Sequence, residues 1–402
     1  MTFKHASAVE VWLWGSHVGT IVPFRGPYYR FVYDQSFLAT GIKIAPFELP
    51  LEPGEFMFTD RPAGAFYGLP AVFADSLPDA FGNSVIDEWM LRKNVRPDSV
   101  TPLDRLAYVG SRAMGALEYE PDRGPRMRPQ LSLNMRRVIE ESRHALNGRI
   151  EMLDPEAQLR EIFRVGTSAG GAQAKAVVAW NRETGRFMLP FGELPSGYEH
   201  WIVKITPEER PYTGEAEFRT YELARRCGVE MSESRLLELD GLRHFMTKRF
   251  DRGNGERHHL LTFRAMRTLP PDAATQMNSY EQLFATIDEL GMGYEAMEQM
   301  FRRMVFNVLV DETDDHAKNF SFLLRKGGGW ELAPAYDLTG GVPSAADADD
   351  ARRQWTNFHA MTINGKNGNI TTADLLAVAD RFAIGSAKSI LEEITDVIIH
   401  RR

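Results

Sequence analysis

The chain has 402 residues, is 43% hydrophobic and 25% charged, and carries a formal net charge of −8. That length asks for two or three domains, and the balance is that of a soluble globular protein. The acidic excess counts against a broad nucleic-acid-binding surface, while leaving room for a local basic patch. The single cysteine, Cys227, cannot form an internal disulfide, and no Cys/His spacing suits zinc. Lys4, His5 and Glu10 interrupt any signal-peptide apolar core, and no apolar run approaches the ~20 residues that span a bilayer. A soluble protein of the reducing cytoplasm is expected.

In chain order, Val9–Trp14 and Tyr29–Tyr33 read as short strands, being β-branched and aromatic and bounded by Gly and Pro. Asp79–Lys93 reads as a helix. Leu103–Tyr119 reads as a helix leading into a small hairpin, and residues 121–130, rich in Pro, Gly and Arg, as a linker. A helical passage is expected to about Phe163, then a β-rich unit over 165–207. Glu215–Cys227 reads as a helix closed by Gly228, which readily supplies a left-handed cap. Strands are expected near Ser234–Leu239 and His244–Phe250. Helices at Tyr280–Leu290, Tyr294–Val310 and Thr372–Phe382 follow from apolar spacings of three and four. Asp347-Ala348-Asp349-Asp350 reads as a solvated loop.

The strongest chemical signal is Asp311-Glu312-Thr313-Asp314-Asp315-His316-Ala317-Lys318-Asn319, followed by Tyr336-Asp337. Asp314 and Asn319 are five positions apart, and Asp337 comes eighteen later. A protein-kinase catalytic loop spaces its base Asp and metal-binding Asn in this way, with a second metal-binding Asp downstream. Such a set supplies a carboxylate to orient a hydroxyl, and an amide with a carboxylate to hold Mg²⁺ against ATP. The plainer alternative is a solvated loop or helix cap. His316 reads as a loop organiser. Lys318 is placed either to stabilise a transferred phosphoryl group or to pair with Asp315. Tyr336 could pack on a nucleotide.

Gly166-Thr167-Ser168-Ala169-Gly170-Gly171-Ala172-Gln173-Ala174-Lys175 precedes the strand-like Ala176–Trp180. A Walker A loop would run into a helix and end in Lys-Ser or Lys-Thr. This segment suits a flap whose backbone N–H groups approach phosphates, and equally a plain Gly-rich turn. In Trp201–Ile205 alternation sets Lys204 opposite Trp201, Val203 and Ile205. A lysine there needs an anionic partner, such as ATP phosphates, or an exit to solvent at a sheet edge. Glu217, in the first turn of the next helix, could reach back to Lys204 as in kinases. Backbone groups at Arg249 and Phe250 would meet an adenine if that strand end is a hinge, and are otherwise an ordinary strand end.

With these residues in view, the chain resembles the HipA family, serine/threonine-kinase toxins of bacterial toxin–antitoxin pairs. The likeness runs through Phe73–Asp79, Tyr108–Leu117, Ser168–Lys175, Lys248–Arg252, Thr313–Ser321 and Tyr336-Asp337. It implies an α+β fold: a β-rich N-terminal subdomain (1–120), a linker and helical connection (121–160), a kinase-like lobe with the Gly-rich loop (161–252), and a mostly helical lobe with catalytic and metal loops (253–402). It implies ATP and Mg²⁺ as cofactors, with Ser168, Ala169, Gly170, Gly171, Lys204, Glu217, Arg249, Phe250 and Tyr336 on the ATP side. Asp314 and Lys318 would be catalytic, and Asn319 and Asp337 would hold the metal. It also implies autophosphorylation at Ser168, a HipB-like helix-turn-helix antitoxin that brings DNA into the complex, and protein substrates that can include an aminoacyl-tRNA synthetase. Related sequences often carry Gly-Asn where this chain has Asp311-Glu312, and a glutamate where it has Lys248. Two other readings compete: a kinase-like scaffold acting in operon repression, and a metal-dependent phosphoesterase built on Asp314, Asp315, His316 and Asp337.

Overall fold

The computed structural model describes residues 3–124, 132–146, 173–253, 255–270, 278–340 and 358–400. Ser168, Ala169, Gly170 and Gly171, most of the 121–130 linker and the 347–350 acidic stretch lie outside the described residues. The chain forms two compact units. The first comprises Met1–Pro211 with Leu236–Leu260, the second Tyr212–Arg235 with Leu261–Arg402.

Unit one holds two sheets. In the first, five antiparallel strands run in the order Glu55–Phe56, Tyr29–Tyr33, Ser16–Pro23, Val9–Leu13, Leu117–Glu120. Val9, Val11 and Leu13 alternate into the core, as a one-sided strand requires. The expected hairpin before Tyr119 does not form. Leu117–Glu120 instead pairs with Val9–Leu13, Leu13 facing Leu117 and Glu10 facing Glu120. Alternation fixes a strand's faces and leaves its partner open.

The helix Ala80–Arg92 starts where the sequence suggests, with Asp79 capping the Gly82 N–H. Its Phe81, Val85, Ile86 and Trp89 pack with Ile139, Ala174 and Ile205. The second sheet, of six strands, runs Ser234–Leu239, Leu242–Lys248, Tyr198–Lys204, Lys175–Asn181, Phe187–Met188, Ser132–Leu133. Ala176, Val178, Trp201 and Val203 pack with Met135 and Val138.

Unit two is mostly helical. Its helices Thr213–Arg226, Tyr280–Glu289, Tyr294–Leu309 and Thr372–Arg381 fall close to the expected bounds, and Ala387–Ile399 adds a last one. Capping boxes, Ser279 with Gln282 and Thr371 with Asp374, set two helix starts. Tyr280, Leu283, Phe284, Met300, Phe301 and Met304 form the interior. The strands Ser321–Leu324 and Trp330–Leu332 form an antiparallel pair beyond the catalytic-type loop. Among the described residues no helix is long and apolar enough to cross a membrane.

Candidate active site

In unit two, the helix Tyr294–Leu309 buries Met297, Met300, Phe301 and Met304, and its last turn delivers the chain to Asp311. Asp311 adopts φ 53°, a left-handed conformation that a short polar residue tolerates better than a bulky one. A glycine would fit there as well, so the Asp in this chain keeps the reversal. The far end of the loop is tied down, because Ala317 O and Phe320 O accept from Arg264 N at 3.1 Å and Phe263 N at 2.8 Å.

The carboxylate of Asp314 is 68% exposed, as a group that must meet a substrate would be. Asn319 Nδ2 donates to Asp314 O at 2.8 Å. That commits the amide nitrogen and leaves Oδ1 as the end of the side chain suited to a cation. Asp337, at φ 57°, lines the same cleft with Asp314, Asn319 and Tyr336. The Tyr336 hydroxyl donates to Lys318 O at 2.6 Å and meets Ser321 Oγ at 2.6 Å, so it braces the loop. An oxygen-only set of one amide and one carboxylate suits Mg²⁺, which keeps several waters and few protein ligands.

The remaining loop residues separate clearly. Asp315 is buried and accepts from Tyr280 Oη, His359 Nδ1 and Ala360 N, each at 2.8 Å. It therefore faces the interior, away from any pairing with Lys318, which is exposed. Burial alone would lower the His359 pKa, and the contact with Asp315 outweighs it and raises the ring above its usual value. His316 stands 3.9 Å from Asp314, beyond hydrogen-bond reach, and organises the loop through its carbonyl, which accepts from Asn319 N at 2.8 Å.

Sequence reasoning missed Glu312 as a site element. Its carboxylate is 2% exposed as a residue, and accepts from the backbone N–H groups of Asp314, Thr339 and Gly340. Burial pushes its pKa up to about 7, against the pull of those three donors. Arg303 was also missed. It sits on the buried face of Tyr294–Leu309 and lines the cleft, and a charged residue inside a run of Met and Phe at helical spacing was the available signal. Glu217 is buried, but the helix begins at Thr213, so Glu217 lies in its second turn and Glu215 is the first-turn acid.

In unit one, Lys204 is no solvent-facing edge residue. It is buried in an inner strand, flanked directly by Lys175 on one side and Phe245 on the other. Its Nζ lies 5.7 Å from the Phe245 ring centre, and Lys175 Nζ lies 3.7 Å from Asp79 Oδ2. Two buried ammonium groups on neighbouring strands make a strong local preference for an anion. Lys175 closes the Gly-rich segment, and only the register reveals its pairing with Lys204. Arg249 corrects the sequence reading in part. Its backbone N–H is taken by His200 O at 2.9 Å, so only its carbonyl can meet an adenine. Its side chain is buried against Asp251.

These features define an α+β protein with a polar cleft whose residues keep kinase-type spacing. The HipA-like C-terminal domain family matches residues 167–401, and the HipA N-terminal domain family matches residues 9–120. The chain belongs to the HipA family. It is 24% identical over 242 residues to a Sinorhizobium fredii protein, Y4dM, provisionally named as a kinase; the match covers 57% of this chain and 58% of that one. It is 29% identical over 157 residues to a Haemophilus influenzae protein with the same provisional name, covering 36% of this chain and 46% of the relative. The chain thus spans about half the length of these two relatives. Among solved structures it is similar to HipA of Shewanella oneidensis MR-1, seen with HipB and operator DNA. That likeness has a TM-score of 0.66 at 19% identity, over 97% of this chain and 91% of the other, and shows a shared fold.

Proposed function

We propose that this protein is an ATP- and Mg²⁺-dependent serine/threonine protein kinase, the toxin of a toxin–antitoxin pair that arrests growth by phosphorylating a cytoplasmic protein. The observation that carries the reading is the Asp314, Asn319 and Asp337 cleft, with Asn319 turned by its bond to Asp314 O. In this mechanism Asp314 accepts a hydrogen bond from the substrate hydroxyl and aims its oxygen at the γ-phosphate. Lys204, with Lys175 beside it, meets the phosphates. Lys318, exposed at the loop surface, approaches the phosphoryl group in transfer. Asn319 and Asp337 would hold Mg²⁺, which when bound supplies screening of phosphate charge. The carbonyl of Arg249 and backbone groups of Phe250 receive the adenine, and Tyr336 lies against the nucleotide. Ser168, Ala169, Gly170 and Gly171 cover the phosphates, and phosphorylation of Ser168 switches the enzyme off by adding nearly two negative charges there.

The partner is a HipB-like helix-turn-helix protein through which DNA enters the complex, and the substrate class is a protein such as an aminoacyl-tRNA synthetase. The phosphoesterase alternative loses one of its carboxylates, since Asp315 is spent on Tyr280, His359 and Ala360. Incubation with labelled ATP, Mg²⁺ and a cell lysate tests the proposal. Labelled protein should appear, with phosphate on Ser168, and Asp314→Asn or Asp337→Asn should reduce transfer by about a hundredfold or more. Undiminished transfer by either folded variant refutes the assignment.

A further inference from the structure

Glu312 stands at the meeting point of three segments of unit two. Its Oε2 accepts from Thr339 N at 2.6 Å and Gly340 N at 2.5 Å, and its Oε1 accepts from Asp314 N at 3.2 Å. One buried carboxylate therefore ties the loop bearing Asp314 to the loop bearing Asp337. Gly340 is held so close that an added Cβ would lie 2.7 Å from Glu312 Cα and 3.0 Å from Asp311 O. No larger residue fits without moving one loop off the other. On its other side Gly340 O accepts from Thr220 Oγ1 at 3.1 Å, and Thr220 lies on the helix Thr213–Arg226, three positions after Glu217.

We propose that Glu312 is a positioning residue: it clamps the Asp314 loop to the Asp337 loop and, through Gly340, to the Glu217 helix. This rests on the kinase reading above. A carboxylate suits the role because both of its oxygens can accept, and here each faces a backbone N–H of a different loop. A glutamine would serve one loop with its oxygen and aim its own N–H₂ at the other. A misplacement of one catalytic group by about 1 Å can cost on the order of a hundredfold in rate.

The test compares wild-type protein with Glu312→Gln. The clamp predicts a fall in kcat of about tenfold or more and a higher half-saturating Mg²⁺ concentration, with metal-free ATP affinity unchanged. A residue with only a structural role would lower the melting temperature and leave kcat per folded molecule and the Mg²⁺ dependence alone, and that result overturns the proposal. Hydrogen exchange on the wild-type protein decides the matter if the variant does not fold. The Thr339 and Gly340 amides should be protected, and exchange at the rate of an unstructured peptide overturns the clamp. If wild-type protein transfers no phosphoryl group, the kinase reading fails, while the exchange measurement still judges the clamp.

Discussion

Asp251 joins two arginines and a backbone N–H in the interior of unit one, and its removal gives a sharp test of how that unit is held. It is fully buried. It accepts from Arg249 Nε at 2.9 Å, from Arg249 Nη2 and Arg252 Nη1 at 2.7 Å, and from Gly115 N at 2.7 Å. Burial opposes its charge, but Arg249 and Arg252 outweigh burial and hold its carboxyl well below the usual range. Asp251→Ala removes the carboxylate these groups share and leaves two arginines in the interior. Breaking a buried ion pair from one side costs about 3–5 kcal/mol, most of it the stranded charge. For a unit of this size roughly 2–4 °C of melting temperature accompanies each kcal/mol, so a drop of roughly 10 °C is expected. Five of the seven tryptophans, at positions 12, 14, 89, 180 and 201, lie in unit one, so intrinsic fluorescence during urea unfolding reports on it. Asp98→Ala is the control, because its partner Arg96 is 83% exposed and such pairs contribute about 0–1 kcal/mol. A loss below about 1 kcal/mol for Asp251→Ala would show that water or rearrangement satisfies the arginines, and would refute the reasoning.

Lys204→Met should weaken ATP binding by about tenfold or more; calorimetry showing unchanged affinity removes Lys204 from the site. Acid should destabilise unit one below neutral pH. Burial pushes the pKa of His259 down to about 4, while its Nε2 meets Ile44 O at 2.9 Å, and burial with nearby Arg249 pushes His200 down to about 3. The folded state therefore keeps these rings neutral: their contribution is complete above the unfolded pKa of about 6.5 and drains away as pH falls towards 4. Thermal melts from pH 7 to 4 should show a smaller decline in His259→Gln than in wild type, and identical slopes would count against this origin.

Much of the architecture was legible because the patterns are local. The helices Ala80–Arg92, Tyr280–Glu289 and Tyr294–Leu309 follow from apolar spacing and from caps that lie beside them in sequence. What the sequence could not convey is pairing. Leu117–Glu120 carries the same alternation whether its partner is a neighbouring hairpin arm or Val9–Leu13, and only the closed sheet chooses. The same gap hid the Lys175 and Lys204 row, since strand register sets which side chains stand abreast. Arg249 shows the limit from the other side: its backbone N–H looked available to a ligand, and the sheet consumes it with His200 O.

In the candidate site, spacing drew attention to Asp314, Asn319 and Asp337, and the fold brings all three to one cleft. It could not say which carboxylates face the cleft. Asp315 is next to Asp314 in sequence, yet the backbone turns it towards Tyr280 and His359. Asp311 and Glu312 stand where related sequences often carry Gly-Asn, and so place two carboxylates beside the candidate metal loop. The structure gives each a separate physical task. Asp311 takes the left-handed turn that ends the helix, and Glu312 is withdrawn from solvent to collect three backbone donors. A carboxylate committed to Asp314, Thr339 and Gly340 spends its charge on holding two loops at a fixed separation. Charge counting along a sequence overstates electrostatic competition wherever backbone N–H groups, which no sequence pattern displays, have already claimed the oxygens.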